Sequence, residues 1–332
     1  MALGSAMLIG ITAAHPAAAI TIDALFDSSI TGATNAASVE FAINTAIGTI
    51  DSLYTNAGTV GIVFGQGTGG FVGESETADY GATYSTYVGL LSAAAAREPT
   101  NTVLQTALAH LSSGNQPGVG GSVLFTTADT ELALGIGASE GVTGCFNSSG
   151  AYVSGCGQSY VGVVKLSSSQ PLNYTTTPVP GEYSAIGAAE HEIDEMLGGG
   201  GQGSLLNAIY DGLIGSNYLG VLDLYRYAAP GVPSFTTSGG ATAYLSVDGG
   251  VTDIVGFNQD HNGDYGDFGP GGFVQSAFGT PGTVPTYTTA SPEFAMMEAI
   301  GYDGTVPEPG SLLILGSALL TLGLARRRPP RR

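Results

Sequence analysis

One short stretch of the sequence places a histidine and two glutamates at a spacing that suits metal chemistry. The stretch His191-Glu-Ile-Asp-Glu195 has apolar neighbours that predict a helix, which glycines 198–201 end because glycine caps helices without strain. In a helix, His191 and Glu195 leave the same face one turn apart. Zinc accepts both imidazole nitrogen and carboxylate oxygen, so we predict that these two residues bind it. Glu192 would be the general base that takes a proton from metal-bound water.

The same helix has a second interpretation. Glu190, Glu192, Asp194 and Glu195 could form a solvated acidic face, with His191 as a surface histidine. However, only 11% of the chain is charged, and one of its four histidines lies among these acids. This concentration favours the metal site.

A zinc site needs a third protein ligand and keeps one position open for water. In the extended zinc-binding motif H-E-x-x-H-x-x-G-x-x-H, the last histidine would fall at position 201, but this chain has Gly201. We predict Asp223 as the third ligand, because an acid in an apolar, aromatic segment is costly to bury without a partner. An ion pair with Arg226 explains Asp223 equally well. His261 is the second choice.

Two further segments contain residues that could act in a site. The segment Asp260–Asp267 has Asp, Asn and Asp at alternate positions, as in a calcium loop, although Tyr265 replaces the glycine of an EF-hand. A looser calcium site and a turn rich in Asx side chains fit this segment equally well. Tyr225 or Tyr227 could donate a hydrogen bond to an oxyanion, and each is also typical of a core.

Sequence periodicity predicts the elements that must position these residues. The predicted helices are Asn35–Leu53, Gly89–Ala96, Thr100–Leu111 and Ser291–Ile300, and the predicted strands are Ile20–Phe26, Thr59–Gly65, Gly121–Ala128, Val161–Leu166 and Ala241–Val247. This order, with the His191 helix after the fourth strand, predicts a single α+β domain with a mixed sheet over residues 20–305.

Both ends of the chain carry apolar segments. Residues 1–19 are expected to be a signal peptide with a small-residue cleavage site at its end. At the other end, Val306-Pro-Glu-Pro-Gly310 precedes an apolar run at 311–325 and an arginine cluster at 326–332. The short motif, the apolar run and the arginine cluster, in this order, resemble the PEP-CTERM sorting signal of Gram-negative bacteria. The resemblance implies export across the inner membrane, anchoring through residues 311–325, exosortase processing of the tail, and a final place at the cell surface or in the extracellular matrix.

Charge and cysteine content narrow the function classes. Five of the eight basic residues lie in the tail, which leaves three for the rest of the chain against all 27 acidic residues. This balance excludes nucleic-acid binding through phosphate contacts. Cys145 and Cys156 bracket a stretch rich in Gly, Ser and Asn, and in an exported protein they predict a disulfide.

Several motifs in order resemble a group of PEP-CTERM-anchored, zincin-like metalloproteases that carry H-E-[IL]-x-E in place of H-E-x-x-H. The matching motifs are His191-Glu-Ile-Asp-Glu-Met-Leu-Gly198, Asp223-Leu-Tyr-Arg-Tyr-Ala-Ala-Pro-Gly231, Gly263-Asp-Tyr-Gly-Asp267 and Ala299-Ile-Gly-Tyr302. The resemblance implies a zincin- or metzincin-like catalytic domain. Gly199 stands where members of the group often have arginine, a difference that concerns substrate contacts more than the metal.

We therefore expect an exported, surface-anchored zinc endopeptidase that hydrolyses protein or peptide substrates, with His191, Glu195 and Asp223 as ligands and Glu192 as the base. One alternative is a non-enzymatic surface or matrix protein, a degenerate zincin associated with exopolysaccharide. A second alternative is an adhesion module that binds calcium through residues 260–267.

Overall fold

The computed structural model describes residues 20–111, 123–134, 144–154 and 160–305. Its helices are α1 (Ser28–Thr31), α2 (Ala36–Leu53), α3 (Tyr84–Arg97), α4 (Thr102–Leu111), α5 (Ala128–Ala133), α6 (Ala185–Met196), α7 (Gly200–Gly203), α8 (Leu206–Tyr210) and α9 (Pro292–Ile300), with a 3-10 turn at Val221–Tyr225. Its strands are β1 (Ile20–Phe26), β2 (Gly58–Gly67), β3 (Gly73–Thr77), β4 (Asp79–Thr83), β5 (Val123–Thr127), β6 (Gly144–Phe146), β7 (Tyr152–Ser154), β8 (Gly162–Ser167), β9 (Leu172–Asn173), β10 (Tyr183–Ser184), β11 (Tyr218–Gly220), β12 (Arg226–Ala229), β13 (Val232–Pro233), β14 (Tyr244–Leu245) and β15 (Val255–Gly256). This mixture confirms the α+β class.

The sheet that supports the candidate site has the strand order β1-β2-β8-β3. β1, β2 and β8 run parallel, and β3 pairs antiparallel with β8 at one edge. The central strand β2 is a continuous buried run from Val60 to Phe64, as expected for a strand covered on both faces. Edge strand β3 is polar, and its Glu74 forms a 2.9 Å ion pair with the facing Lys165 of β8.

Helices α2 and α6 pack together and share one apolar core with this sheet. Helix α2 buries Val39, Ile43, Ile47 and Ile50 at spacings of three and four residues, which is the pattern of a helix with one buried face. The core also includes Ile20 in β1 and, at the other end of the described chain, Ile300 and Tyr302.

Helix α6 has clear signals at both ends. The Ser184 hydroxyl accepts a hydrogen bond from the Gly187 N–H at 3.0 Å, which is a standard N-terminal cap. After the helix, Gly198 adopts φ +98°, a conformation that glycine reaches without strain. Helix α6 packs against the sheet, against α2 and against the loops that follow it. Its acidic residues are therefore buried as well as its apolar ones.

Most predicted elements are confirmed within a few residues. Helix α3 begins at Tyr84, earlier than predicted, because the Thr83 hydroxyl caps its N-terminus. The strand predicted at Ala241–Val247 shrinks to β14, and β3 was not predicted, since its polar sequence lacks an apolar alternation.

None of the described helices is long and apolar enough to cross a membrane. The expected signal peptide at 1–19, the anchor at 311–325 and Cys156 all lie outside the described residues. Cys145 is buried in β6, and its disulfide with Cys156 stays a prediction.

Candidate metal centre

Helix α6 and a distant loop bring three metal-ligating side chains together. His191 Nε2 lies 3.6 Å from Glu195 Oε1 and 3.5 Å from Asp267 Oδ2. One ligand atom from each of the three residues falls within 4.8 Å of the others. His191 and Glu195 are one turn apart on α6, as predicted, while Asp267 comes from the loop after β15.

The orientation of the imidazole directs one nitrogen into this cluster. His191 Nδ1 lies 2.9 Å from the backbone carbonyl oxygen of Val274. Because a carbonyl oxygen only accepts, Nδ1 carries the hydrogen, and in the neutral ring the Nε2 lone pair faces Glu195 and Asp267. A histidine that binds a metal through one nitrogen and a backbone carbonyl through the other is a recurrent arrangement in metal sites.

Glu195 is held in place by two donors. The Ser75 hydroxyl of β3 donates to Oε2 at 2.6 Å, and the backbone N–H of Gly201 donates to Oε1 at 2.9 Å. The glycine run therefore does more than end the helix, since it turns the chain back so that one of its N–H groups reaches the carboxylate.

The electrostatics of the cluster favour a cation. Burial raises the pKa of Asp267 well above its usual range, and the nearby Glu195 charge adds to this rise. Burial alone also raises the pKa of Glu195, but the hydrogen bond and charge of His191 bring it below its usual value. Burial lowers the pKa of His191, yet the Asp267 charge and the Glu195 hydrogen bond raise it overall. The raised pKa of His191 keeps a proton on the imidazole as the positive partner of the two carboxylates. A metal ion would take the place of that proton and use Nε2 as a ligand, so the residues fit a metal.

Glu192 lies beside the cluster and touches the edge strand. It is buried against Gly73 of β3, so closely that a Cβ at Gly73 would collide with its carboxylate. Burial, together with the charge of Glu195, raises the pKa of Glu192 well above its usual range. A carboxylate whose pKa is raised holds a proton more readily, which suits a proton acceptor beside a candidate metal.

The four acids of α6 do not form a solvated face. Glu190, Glu192, Asp194 and Glu195 are all buried in the structure. Asp194 accepts a hydrogen bond from the Tyr287 hydroxyl at 3.0 Å. The alternative of an acidic surface helix is therefore wrong.

The structure does not bring Asp223 to the cluster. Its carboxylate accepts hydrogen bonds from the Ser204 hydroxyl at 2.6 Å and from the backbone N–H groups of Leu205 at 3.1 Å and Gly220 at 2.8 Å. These three donors satisfy the buried acid without a metal. Arg226 contributes charge only, because its guanidinium donates to the carbonyl oxygens of Ser234 and Tyr265. Asp267, rather than the predicted Asp223, lies beside His191 and Glu195.

The remaining candidates have other surroundings. His261 is exposed and stacks on Tyr210, with 5.4 Å between the ring centroids. The Tyr225 hydroxyl donates to the carbonyl oxygen of Ala299 at 2.6 Å inside the core. Asp260 accepts hydrogen bonds from the backbone N–H and the side-chain amide of Asn262. These bonds form an Asx turn, which the sequence predicts as the alternative to a calcium site.

Sequence reasoning named Asp267 only as part of a possible calcium loop and of a shared motif. The sequence signal that points to it is the pair of acids, Asp264 and Asp267, on either side of Tyr265-Gly266. In the structure, both acids lie beside α6. Burial raises the pKa of Asp264 to about 6, and the negative charge of the nearby Glu195 adds to this rise.

The cluster opens into a cavity of about 550 Å³. One wall is β3 and the residues before it, and the other is the loop around Phe273 and Phe278. Among the described residues, His191 is the only basic side chain in the cavity lining, so a carboxylate group of a substrate finds no Lys or Arg there.

Comparison with known proteins identifies the C-terminal segment. Residues 305–328 match the family model of the PEP-CTERM protein-sorting motif, which confirms the predicted sorting signal. The motif indicates a protein exported by a Gram-negative bacterium and anchored at the surface, with a tail that an exosortase processes. No curated protein and no solved structure shows a significant match to the chain.

Proposed function

We propose that this exported protein is a surface-anchored zinc peptidase with the metal held by His191, Glu195 and Asp267. The observation that supports the proposal most strongly is the convergence of these three ligand atoms beside Glu192, at the floor of an open cavity. Two carboxylates buried beside each other are costly unless a positive charge is held between them. A zinc ligand set of one imidazole and two carboxylates serves that purpose.

Each residue has a distinct role in the proposed reaction. Zinc, when bound, polarises the scissile carbonyl and lowers the pKa of water. Glu192 takes a proton from the attacking water and passes it to the leaving amine. The Val274 carbonyl and the Ser75 hydroxyl hold His191 and Glu195 in position.

Edge strand β3 offers a docking surface for an extended substrate. One side of β3 is paired with β8, and Gly73, Glu74 and Ser75 line the cavity. A peptide that adds to this edge would run past Glu192, because Gly73 lies against that side chain. This arrangement favours cleavage within a chain, since no Lys or Arg in the described cavity lining is placed to bind a terminal carboxylate.

The Glu192→Gln substitution in the purified full chain tests the proposal. We expect it to keep about one zinc per chain while peptide hydrolysis falls by about 100-fold or more, because the amide cannot accept the proton. His191→Ala should lose both zinc and activity. Metal analysis and a quenched-fluorescence peptide assay are the measurements, and Glu182→Gln, which lies outside the cavity lining, is the control.

The outcomes separate the peptidase from its rivals. Zinc binding without hydrolysis of any peptide, in the parent as in Glu192→Gln, would indicate a non-enzymatic surface protein. A parent that binds no zinc would refute the metal site itself.

A further inference from the structure

The side chain of Gln275 ends inside the metal cluster. Gln275 is fully buried, and its Nε2 lies 3.2 Å from His191 Nε2 and 3.0 Å from Asp267 Oδ1. Its Oε1, on the other side of the amide, is buried without a hydrogen-bond partner. A buried amide oxygen with no partner calls for an explanation, because nearly all buried polar atoms are paired.

This amide orientation conflicts with a cation at His191. The Nε2 atom carries only donor hydrogens, and it faces the imidazole nitrogen whose lone pair would bind zinc. A half turn of the amide exchanges its nitrogen and oxygen, two atoms of similar size. Oε1 would then stand at the present Nε2 position, 3.2 Å from His191 Nε2 and 3.0 Å from Asp267 Oδ1. Ligand atoms that bind one zinc ion at 2.0–2.2 Å lie about 3–3.5 Å apart, which the distance to His191 Nε2 satisfies, while the Asp267 oxygen that faces His191 is Oδ2.

We propose that Gln275 supplies a fourth metal ligand through Oε1, an inference that rests on the proposed zinc site. The half turn exchanges the hydrogen bond from Nε2 to Asp267 Oδ1 for a contact with the cation, and it breaks no hydrogen bond on the outer side, because Oε1 has no partner there. The backbone keeps the residue in place, since the Gln275 N–H donates to Glu293 at 3.0 Å and the preceding carbonyl accepts from His191. Gly200 leaves the space, because a Cβ there would overlap the Gln275 amide.

A fourth ligand is compatible with hydrolysis. Gln275 Oε1 is uncharged, unlike the carboxylate oxygens of Glu195 and Asp267, so it binds the cation most weakly of the three. It is therefore the ligand that an incoming water molecule or substrate displaces.

Zinc affinity of two Gln275 variants decides between a ligand and a hydrogen-bond donor. Calorimetric titration of ZnCl₂ into the metal-depleted full chain would compare the parent with Gln275→Glu and Gln275→Leu. If Gln275 is a ligand, Gln275→Glu keeps an oxygen in place with added charge and binds zinc at least as tightly as the parent. Gln275→Leu weakens zinc binding by about 10–100-fold. The visible spectrum of the Co²⁺-loaded chain should change in Gln275→Leu and stay close to the parent in Gln275→Glu.

If Gln275 is a hydrogen-bond donor rather than a ligand, the zinc affinity of Gln275→Glu changes in the opposite direction. If Gln275 only donates to Asp267, the new carboxylate of Gln275→Glu repels Asp267 and weakens zinc binding. A weakened Gln275→Glu, or a Gln275→Leu within threefold of the parent, overturns the ligand role and leaves a three-ligand site. A folded parent without zinc binding instead refutes the proposed function.

Gln259 provides the matched control. Its Oε1 is also buried without a hydrogen-bond partner, but its Nε2 donates to the Asn258 carbonyl at 2.7 Å and not to a residue of the cluster. Gln259→Glu and Gln259→Leu should bind zinc like the parent. Thermal unfolding verifies that each variant is folded, and Gln275→Met replaces Gln275→Leu if the latter is not.

Discussion

At the scale of single residues, the two buried aspartates Asp223 and Asp267 show how surroundings decide the role of a carboxylate. Asp223 accepts hydrogen bonds from three donors, and these bonds join the segment after α7 to the end of β11. Asp267 faces His191 and a second carboxylate, and among the described residues the side chain that donates a hydrogen bond to it is the Gln275 amide. A charged group with its donors supplied is structural, whereas one that faces a like charge is suited to a cation.

We expect Asp223→Ala to unfold the protein more easily without removing the metal. The substitution leaves the buried N–H of Gly220 and the hydroxyl of Ser204 without their acceptor, which costs about 2–4 kcal/mol of unfolding free energy. Urea unfolding and zinc analysis are the measurements, with the exposed Asp211→Ala as control. Loss of zinc from a stably folded Asp223→Ala would restore Asp223 as a ligand.

At the scale of elements, α6 carries the site because the chain turns sharply after it. Gly198 and Gly200 both have positive φ, at +98° and +47°, and the turn sends Gly201 N–H back to Glu195. The glycine run thus joins the helix to the loop that holds Asp267, since Gly200 also packs against Gln275 and Asp267.

Gly200→Ala should abolish zinc binding. Its Cβ would overlap the Gln275 amide and lie 2.9 Å from Asp267 Oδ1, so the cluster must move apart. Gly212→Ala is the control, because Gly212 has φ +71° with open space around its Cα. Both substitutions strain the backbone by about 1–2 kcal/mol, and calorimetry should show that only Gly200→Ala loses zinc. Equal zinc affinity in the two variants would contradict the role assigned to this turn.

The sequence predicted α6 and the shared helix face of His191 and Glu195 well, because a helix fixes the spacing of side chains by its own geometry. It predicted Asp267 poorly. The approach of a loop to a helix more than 70 positions away depends on packing, which local patterns do not contain. The burial of all four acids of α6 was likewise not predictable, since the edge strand β3 that covers Glu192 has no apolar pattern.

At the scale of the whole molecule, many acids lie where burial disfavours their charge. Burial raises the pKa of Asp303 to about 7 and that of Glu298 to about 7, and the Asp303 charge adds to the rise for Glu298. A carboxyl whose pKa is higher in the folded than in the unfolded chain stabilises the fold at low pH. This contribution is lost as the pH rises through the folded-state value.

Asp303→Asn should make stability less dependent on pH. In the parent, the Asp303 contribution is complete below about pH 4 and is lost by about pH 7, whereas asparagine stays neutral throughout. Urea unfolding at pH 5 and pH 8 should therefore show a smaller loss in the variant than in the parent. The exposed Asp253→Asn serves as control. An equal loss in Asp303→Asn and the parent would refute the contribution of this group.

The contact between α6 and the loop of Asp267 has a consequence for when the protein completes its folding. An ion bound to Glu195 and Asp267 is a reversible cross-link, comparable to a disulfide that closes the long segment between them. The sorting motif indicates export across the inner membrane, and in a chain that crosses it unfolded this link would form only outside the cytoplasm. Metal supply in that compartment, rather than at the ribosome, would then set how many exported molecules become resistant to proteolysis.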